Sequence, residues 1–135
     1  MNFKHLIIAL LITFSPVAAN AACALSNLAG TWSVYSGSTN TQFGGYGYGK
    51  LTFNTTGALT VSSAVSFLEL KGGTKITFKS GSIKMLSNCI PFGTLTTTNN
   101  ITFNFTNARL NNSKNTILGV YDRTDGDYGM INLIR

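Results

Sequence analysis

The sequence predicts an all-β protein: a single small antiparallel up-and-down barrel of about eight strands, held by one disulfide. Three observations predict it. Apolar residues alternate with polar ones at period two in several segments, clusters of turn-forming residues separate those segments at meander spacing, and no stretch carries a convincing helical period. At 135 residues, 44% hydrophobic and 10% charged, the chain has the size of one domain.

The first element is a leader. Met1 to Ala21 opens with Lys4 and His5, runs through the apolar stretch Leu6 to Ile12, passes Ser15 and Pro16, and reaches Ala19, Asn20 and Ala21. Small residues at the two positions that a signal peptidase reads make 1–21 a cleaved signal peptide, leaving 22–135 as the barrel domain. The apolar run is shorter than the roughly 20 residues that span a bilayer, so no transmembrane segment is expected in the mature chain. Asn20 stands where a lipoprotein signal carries a large aliphatic residue three before its Cys, which argues against acylation of Cys23. Export places the domain in the periplasm or outside the cell, where thiols oxidise, and the two cysteines are therefore expected to pair as Cys23–Cys89. That link would pin the new N-terminus to the body of the domain.

The strands follow in order. Estimated spans are 30 to 36, 45 to 54, 58 to 68, 74 to 79, 82 to 87, 92 to 97, 101 to 108, 116 to 122 and 128 to 135. The clearest alternation is Ile101, Phe103 and Phe105 against Thr102, Asn104 and Thr106; Leu51 and Phe53, Leu59 and Val61, and Ile76 and Phe78 repeat it. Turns are expected at Asn54-Thr55-Thr56-Gly57, Lys71-Gly72-Gly73-Thr74, Ser80-Gly81-Ser82, Thr98-Asn99-Asn100, Asn111 to Asn115 and Asp125-Gly126-Asp127. Nine candidates exceed an eight-stranded barrel by one, so one pair should merge or one segment should be a short flap. Closure would also remove exposed sheet edges, which Pro91 alone would do little to blunt.

Leu28-Ala29-Gly30-Thr31-Trp32 opens the first strand with the only Trp, and Met130 to Arg135 closes the last with an Arg. A Gly-x-Trp in that position resembles the signature of the calycins, the lipocalins, avidins and related small barrels. The resemblance implies that Trp32 closes one end of the barrel and that Arg135 lies across its indole as a cation–π partner. The layout also looks like small exported bacterial proteins of uncharacterised function, in which an Asn-rich hairpin leads to a segment such as Ile117 to Tyr121. Avidin's further biotin-lining tryptophans are missing. The exported barrel inhibitors of bacterial metalloproteases are similar in layout, but they use a free N-terminal trunk that Cys23 would tether here.

Composition excludes several chemistries. The only His, His5, lies in the leader, so the mature domain has no imidazole for proton transfer or metal ligation, and two Cys are too few for a four-Cys zinc site. Asp122, Asp125 and Asp127 cluster, but the order lacks the alternating acids and late Glu of an EF-hand, and an Asp-Gly hairpin neutralised by Arg123 accounts for them. No catalytic residue, cofactor or metal site is expected, and the protein reads as non-enzymatic.

The candidate binding residues are Tyr46, Tyr48 and Lys50, which a strand would place on one face with Gly45, Gly47 and Gly49 on the other. Tyr rings beside a Lys suit stacking on sugars or bases, whereas glycines that merely let the strand bend are the structural explanation. The formal charge of +6 falls to +5 without the leader. Lys71, Lys75, Lys79 and Lys84 gather near one strand pair, yet no nucleic-acid motif accompanies them, and a solvated lysine face explains them without specific nucleic acid. The expected function is that of a non-catalytic barrel binding a small apolar, amphipathic or glycan-type ligand. The alternatives are an envelope or host-surface interaction module and an inhibitor of a secreted protease.

Overall fold

The computed structural model describes residues 22–39 and 45–135. The expected leader, 1–21, lies outside the described residues, as do Phe43 and Gly44 of the Tyr/Gly stretch. Eight antiparallel strands form a closed barrel in simple meander order: β1 Gly30–Ser38, β2 Tyr46–Phe53, β3 Phe67–Leu70, β4 Lys75–Met85, β5 Pro91–Thr97, β6 Thr102–Leu110, β7 Thr116–Arg123 and β8 Tyr128–Ile134. Closure is made by β1 against β8, with Val34 opposite Leu133 and Ser36 opposite Ile131.

The alternation that marked the strands also fills the interior. Trp32, Val34, Leu51, Phe53, Phe78, Phe103, Phe105, Ile117, Tyr121, Ile131 and Leu133 all point inward and are buried. Thr, Ser, Asn and Lys take most of the outward positions.

Two expectations are revised. The candidate strands 74 to 79 and 82 to 87 are one strand, β4, and Ser80-Gly81-Ser82 is no turn. The register against β5 slips between Phe78 and Ser80, and Gly81 lies so close to β5 that a Cβ there would sit 2.5 Å from Leu95 Cδ2. The glycine marks a bulged bend in a long strand. The span 58 to 68 shrinks to Phe67–Leu70, preceded by isolated bridges at Ala58 and Leu59. Ser62 explains the shortening, because its carbonyl accepts from Val65 and Ser66 N–H and its hydroxyl from Ala64 N–H, winding the chain into a local turn. That turn still docks on β2: Thr52 N–H donates to the buried Ser66 Oγ and Thr52 Oγ1 to Val65 O.

One pole of the barrel is sealed. A 3-10 turn, Leu25–Leu28, brings fully buried Leu28 under the indole of Trp32, whose Nε1 donates to Leu28 O at 2.8 Å. The Arg135 guanidinium lies 4.4 Å from the Trp32 ring and donates to Ala29 O and Lys114 O. Beside it, Cys23 and Cys89 form a disulfide with Cα atoms 4.9 Å apart. The Lys114 ammonium packs on both sulfurs.

Candidate functional site

The opposite pole is the mouth, ringed by the β3–β4, β5–β6 and β7–β8 hairpins. Each hairpin is set by its own sequence. Leu70 N–H donates to Thr74 O across Gly72 and Gly73, Ile101 N–H to Thr97 Oγ1, and Arg123 N–H to Asp127 O across Asp125-Gly126. Between them lies a cavity of about 150 Å³. Its apolar wall is Leu70, Ile76, Ile101 and Phe103, and its polar rim is Thr74, Thr97, Asn99, Arg123 and Asp125.

Arg123 organises this rim. Its Cζ lies 5.3 Å from the Phe103 ring centroid, and Phe103 packs in turn on Tyr121 and Phe78. Nη1 donates to Asp127 at 2.9 Å and Nη2 pairs with Asp125. Asp127 is buried and also accepts from Ser38 Oγ at 2.5 Å and Tyr128 N–H at 2.9 Å. Burying a carboxylate is costly unless it is hydrogen-bonded and paired, and these donors offset that cost. Asp125 and Asp127 therefore join Arg123 in an ion-pair network that stitches β7–β8 to β1, while exposed Asp122 stands apart from it, and no group of metal-ligating side chains is found among the described residues. Burial raises the Tyr121 phenol above its ordinary pKa, with Asp127 adding to the shift and Arg123 opposing it. Both terminal nitrogens of Arg123 are taken by carboxylates, while its buried Nε has no hydrogen-bond partner, so the hydrogen-bonding groups left on the rim for a ligand are chiefly those of Thr74, Thr97 and Asn99.

The rest of the interior is nearly full. Beside Leu28 a void of about 20 Å³ between Leu51, Phe53, Ile83, Phe105 and Leu133 has no room for a ligand.

The residues singled out in the sequence fall on the outer wall. Tyr46 and Tyr48 are 57% and 52% exposed and Lys50 is exposed, while Gly47 and Gly49 turn inward against β3. Gly45 sits in the turn before β2 at φ +69°. Tyr48 stands opposite Tyr35 on β1 and Glu69 on β3. Its hydroxyl is hydrogen-bonded to Glu69, and that bond with the carboxylate charge raises the phenol's pKa. Tyr46 lies under the Lys71 ammonium, 5.9 Å from its ring. None of the three lines the mouth cavity. The lysine face is partly engaged as well, Lys75 over Phe67 at 4.2 Å and Lys79 on Asn100. Trp32 and Arg135 meet at the sealed pole, distant from the mouth.

The cavity residues were visible in the sequence only as core. Period two puts Ile76, Ile101 and Phe103 inward, and the Gly30-Thr31-Trp32 resemblance implied which pole is closed, but which inward residues leave a space at the open pole depends on packing between strands distant in sequence.

No known family model matches this sequence, and no curated protein is similar to it. Solved structures do match. Designed barrels are among them. A de novo designed fluorescence-activating β-barrel superposes with a TM-score of 0.63 at 14% identity, covering 84% of this chain and 98% of its own. The redesigned barrel mFAP1, solved bound to DFHBI, gives 0.65 at 20% identity, covering 83% and 98%. A further redesigned barrel, b11L5F_LGL, gives 0.60 at 18%, covering 83% and 94%. At these identities the likeness is one of fold: a closed eight-stranded antiparallel barrel.

Proposed function

We propose that this chain is an exported, non-catalytic binding barrel of calycin type whose mouth takes a small, uncharged, amphipathic ligand. The observation that carries the reading is the mouth cavity. At about 150 Å³ it matches the space that holds a single benzene-sized ring. Its wall of Leu70, Ile76, Ile101 and Phe103 would cover the ring, and Thr97 or Asn99 would meet one hydroxyl or carbonyl. Both terminal nitrogens of Arg123 are already paired with Asp125 and Asp127, and Asp125 lines the cavity, so a ligand carboxylate would meet a carboxylate there. The DFHBI complex of a barrel of the same fold supports a small ligand as a use of this architecture. Export rests on the leader-like 1–21, and absence of catalysis on the absence of His from 22–135.

The test is a titration of the purified protein with indole and with phenol, followed by amide chemical shifts, alongside native mass spectrometry of protein from its own source. Shifts should centre on Leu70, Ile76, Ile101 and Phe103, and Ile101→Trp, which fills the cavity, should abolish them without lowering the melting temperature. Shifts confined to Tyr46 and Tyr48 would overturn the mouth reading and favour the glycan or surface-interaction alternative. In that case replacing both Tyr by Ala would remove binding while moving stability by less than about 0.5 kcal/mol.

A further inference from the structure

The outer wall of the barrel is not uniform. On β7, β8, β1 and β2 the outward positions include Leu118, Val120, Tyr128, Met130, Tyr35, Tyr46 and Tyr48, every one exposed, Met130 at 70% and Tyr128 at 61%. The strand register makes them contiguous. Leu118, Asn132, Tyr35 and Tyr48 form one row across four strands, and Val120, Met130, Gly37 and Tyr46 form the next. Gly37 contributes no side chain to its row, so Met130 stands as a ridge beside grooves of about 610 and 540 Å³.

Two physical arguments select the occupant. The first is area. A large aromatic side chain presents roughly 150–250 Å², so at their exposures the five on β7, β8 and β1 leave on the order of 600 Å² uncovered. That stands at the top of the roughly 300–600 Å² range for the largest patch of a typical monomer and matches what one partner gives to a small, weak interface.

The second is charge. Among the described residues, Asp122 is the only charged side chain projecting outward from β7, β8 or β1, whereas β4, diametrically opposite in the barrel order, carries Lys75, Lys79 and Lys84. A lipid surface or an acidic partner would be drawn to β4, away from the apolar wall. A second copy of this chain is the partner that gains from the segregation. Eight strands spaced about 4.8 Å apart and tilted about 40° give a barrel roughly 16 Å across at the backbone. Two barrels joined by their neutral walls would hold their lysine faces roughly 40 Å apart, several Debye lengths in physiological salt. Closure leaves no strand edge to pair, so the contact has to be made by side chains. A ridge beside a groove on one strand is self-complementary about a two-fold axis.

We infer that the protein forms an isologous dimer through the outer face of β7, β8 and β1, with Met130 of each copy seated in its partner's groove. This goes beyond the mouth-ligand reading and is independent of it, since the mouth remains open in such a dimer.

Sedimentation velocity of the purified protein between roughly 1 μM and 1 mM, a span covering weak to moderate association, tests it. A dimer should form within that span, and added salt should leave it unchanged or tighten it, because apolar surface drives the contact against like net charge. Met130→Lys and, separately, Leu118→Lys should each raise the dissociation constant at least about tenfold, since each places like charges across the two-fold. Lys84→Ser on the far wall should leave it unmoved, with melting temperature confirming that all three variants are folded. A monomer throughout the range overturns the inference, as does a dimer indifferent to both lysine substitutions. Monomeric protein that sediments with zwitterionic vesicles through Met130 overturns it in favour of a membrane surface.

Discussion

Tyr48 shows how much of the outer wall a single side chain reports. Its phenol and that of Tyr121 both titrate above the ordinary 10.0, the first because Glu69 accepts its proton in a hydrogen bond, the second because it is buried. In both cases the folded state holds the proton more tightly than the unfolded chain. Their contribution to stability is therefore fully present below about pH 10 and disappears as pH rises through the raised folded values. Glu69→Gln should bring the Tyr48 titration back toward the ordinary value while leaving Tyr121 where it is, read from phenolate absorbance against pH; an unmoved Tyr48 would show that the Glu69 bond is not made in solution. That Tyr46, Tyr48 and Lys50 share one face was legible from alternation, because a strand has only two faces; that theirs is the outer one was not. The Glu69 partnership was not, since it depends on the register of β3, a strand whose start the sequence misplaced.

β3 is the shortest strand and the least predictable. Its four residues are flanked by a Ser62 turn whose hydrogen bonds compete with strand pairing, so the apolar pattern around Leu59 and Val61 overstated the strand. The merged β4 is the converse case: Ser80-Gly81-Ser82 carries turn composition, but Leu95 and β5 fill the space a turn would need. The apolar outer wall had a local signature, because Ile117-Leu118-Gly119-Val120-Tyr121 and Met130-Ile131-Asn132-Leu133-Ile134 are apolar on both phases of the period. At this scale the testable feature is the close approach of β2 to β3. A Cβ on Gly49 would lie 2.0 Å from Phe67 O, so Gly49→Ala has to push the strands apart. It should cost about 1–3 kcal/mol or more by denaturant midpoint, as overpacking does. An unchanged midpoint would mean that β3 already stands off from β2.

For the whole molecule, closure and the disulfide were both readable, the first from strand number and the second from the cysteine count taken with the expectation of export. The choice of which pole is sealed came into view through Gly30-Thr31-Trp32 and Arg135, whose contact fixes the N-terminal turn as a lid. The disulfide joins residues 66 apart in sequence, and Cys23→Ser with Cys89→Ser should lower stability by about 4 kcal/mol in the chain-entropy model, measured by urea unfolding. A loss below about 1 kcal/mol would mean that Leu28 and Trp32 hold the lid unaided. The lid brings residue 22 and residue 135 to the same pole, because β1 leaves it and β8 returns to it. Anything fastened to either end of this domain, whether a bead, a fusion partner or a cell surface, therefore stands behind the barrel and presents its mouth outward, so that anchoring and access never compete.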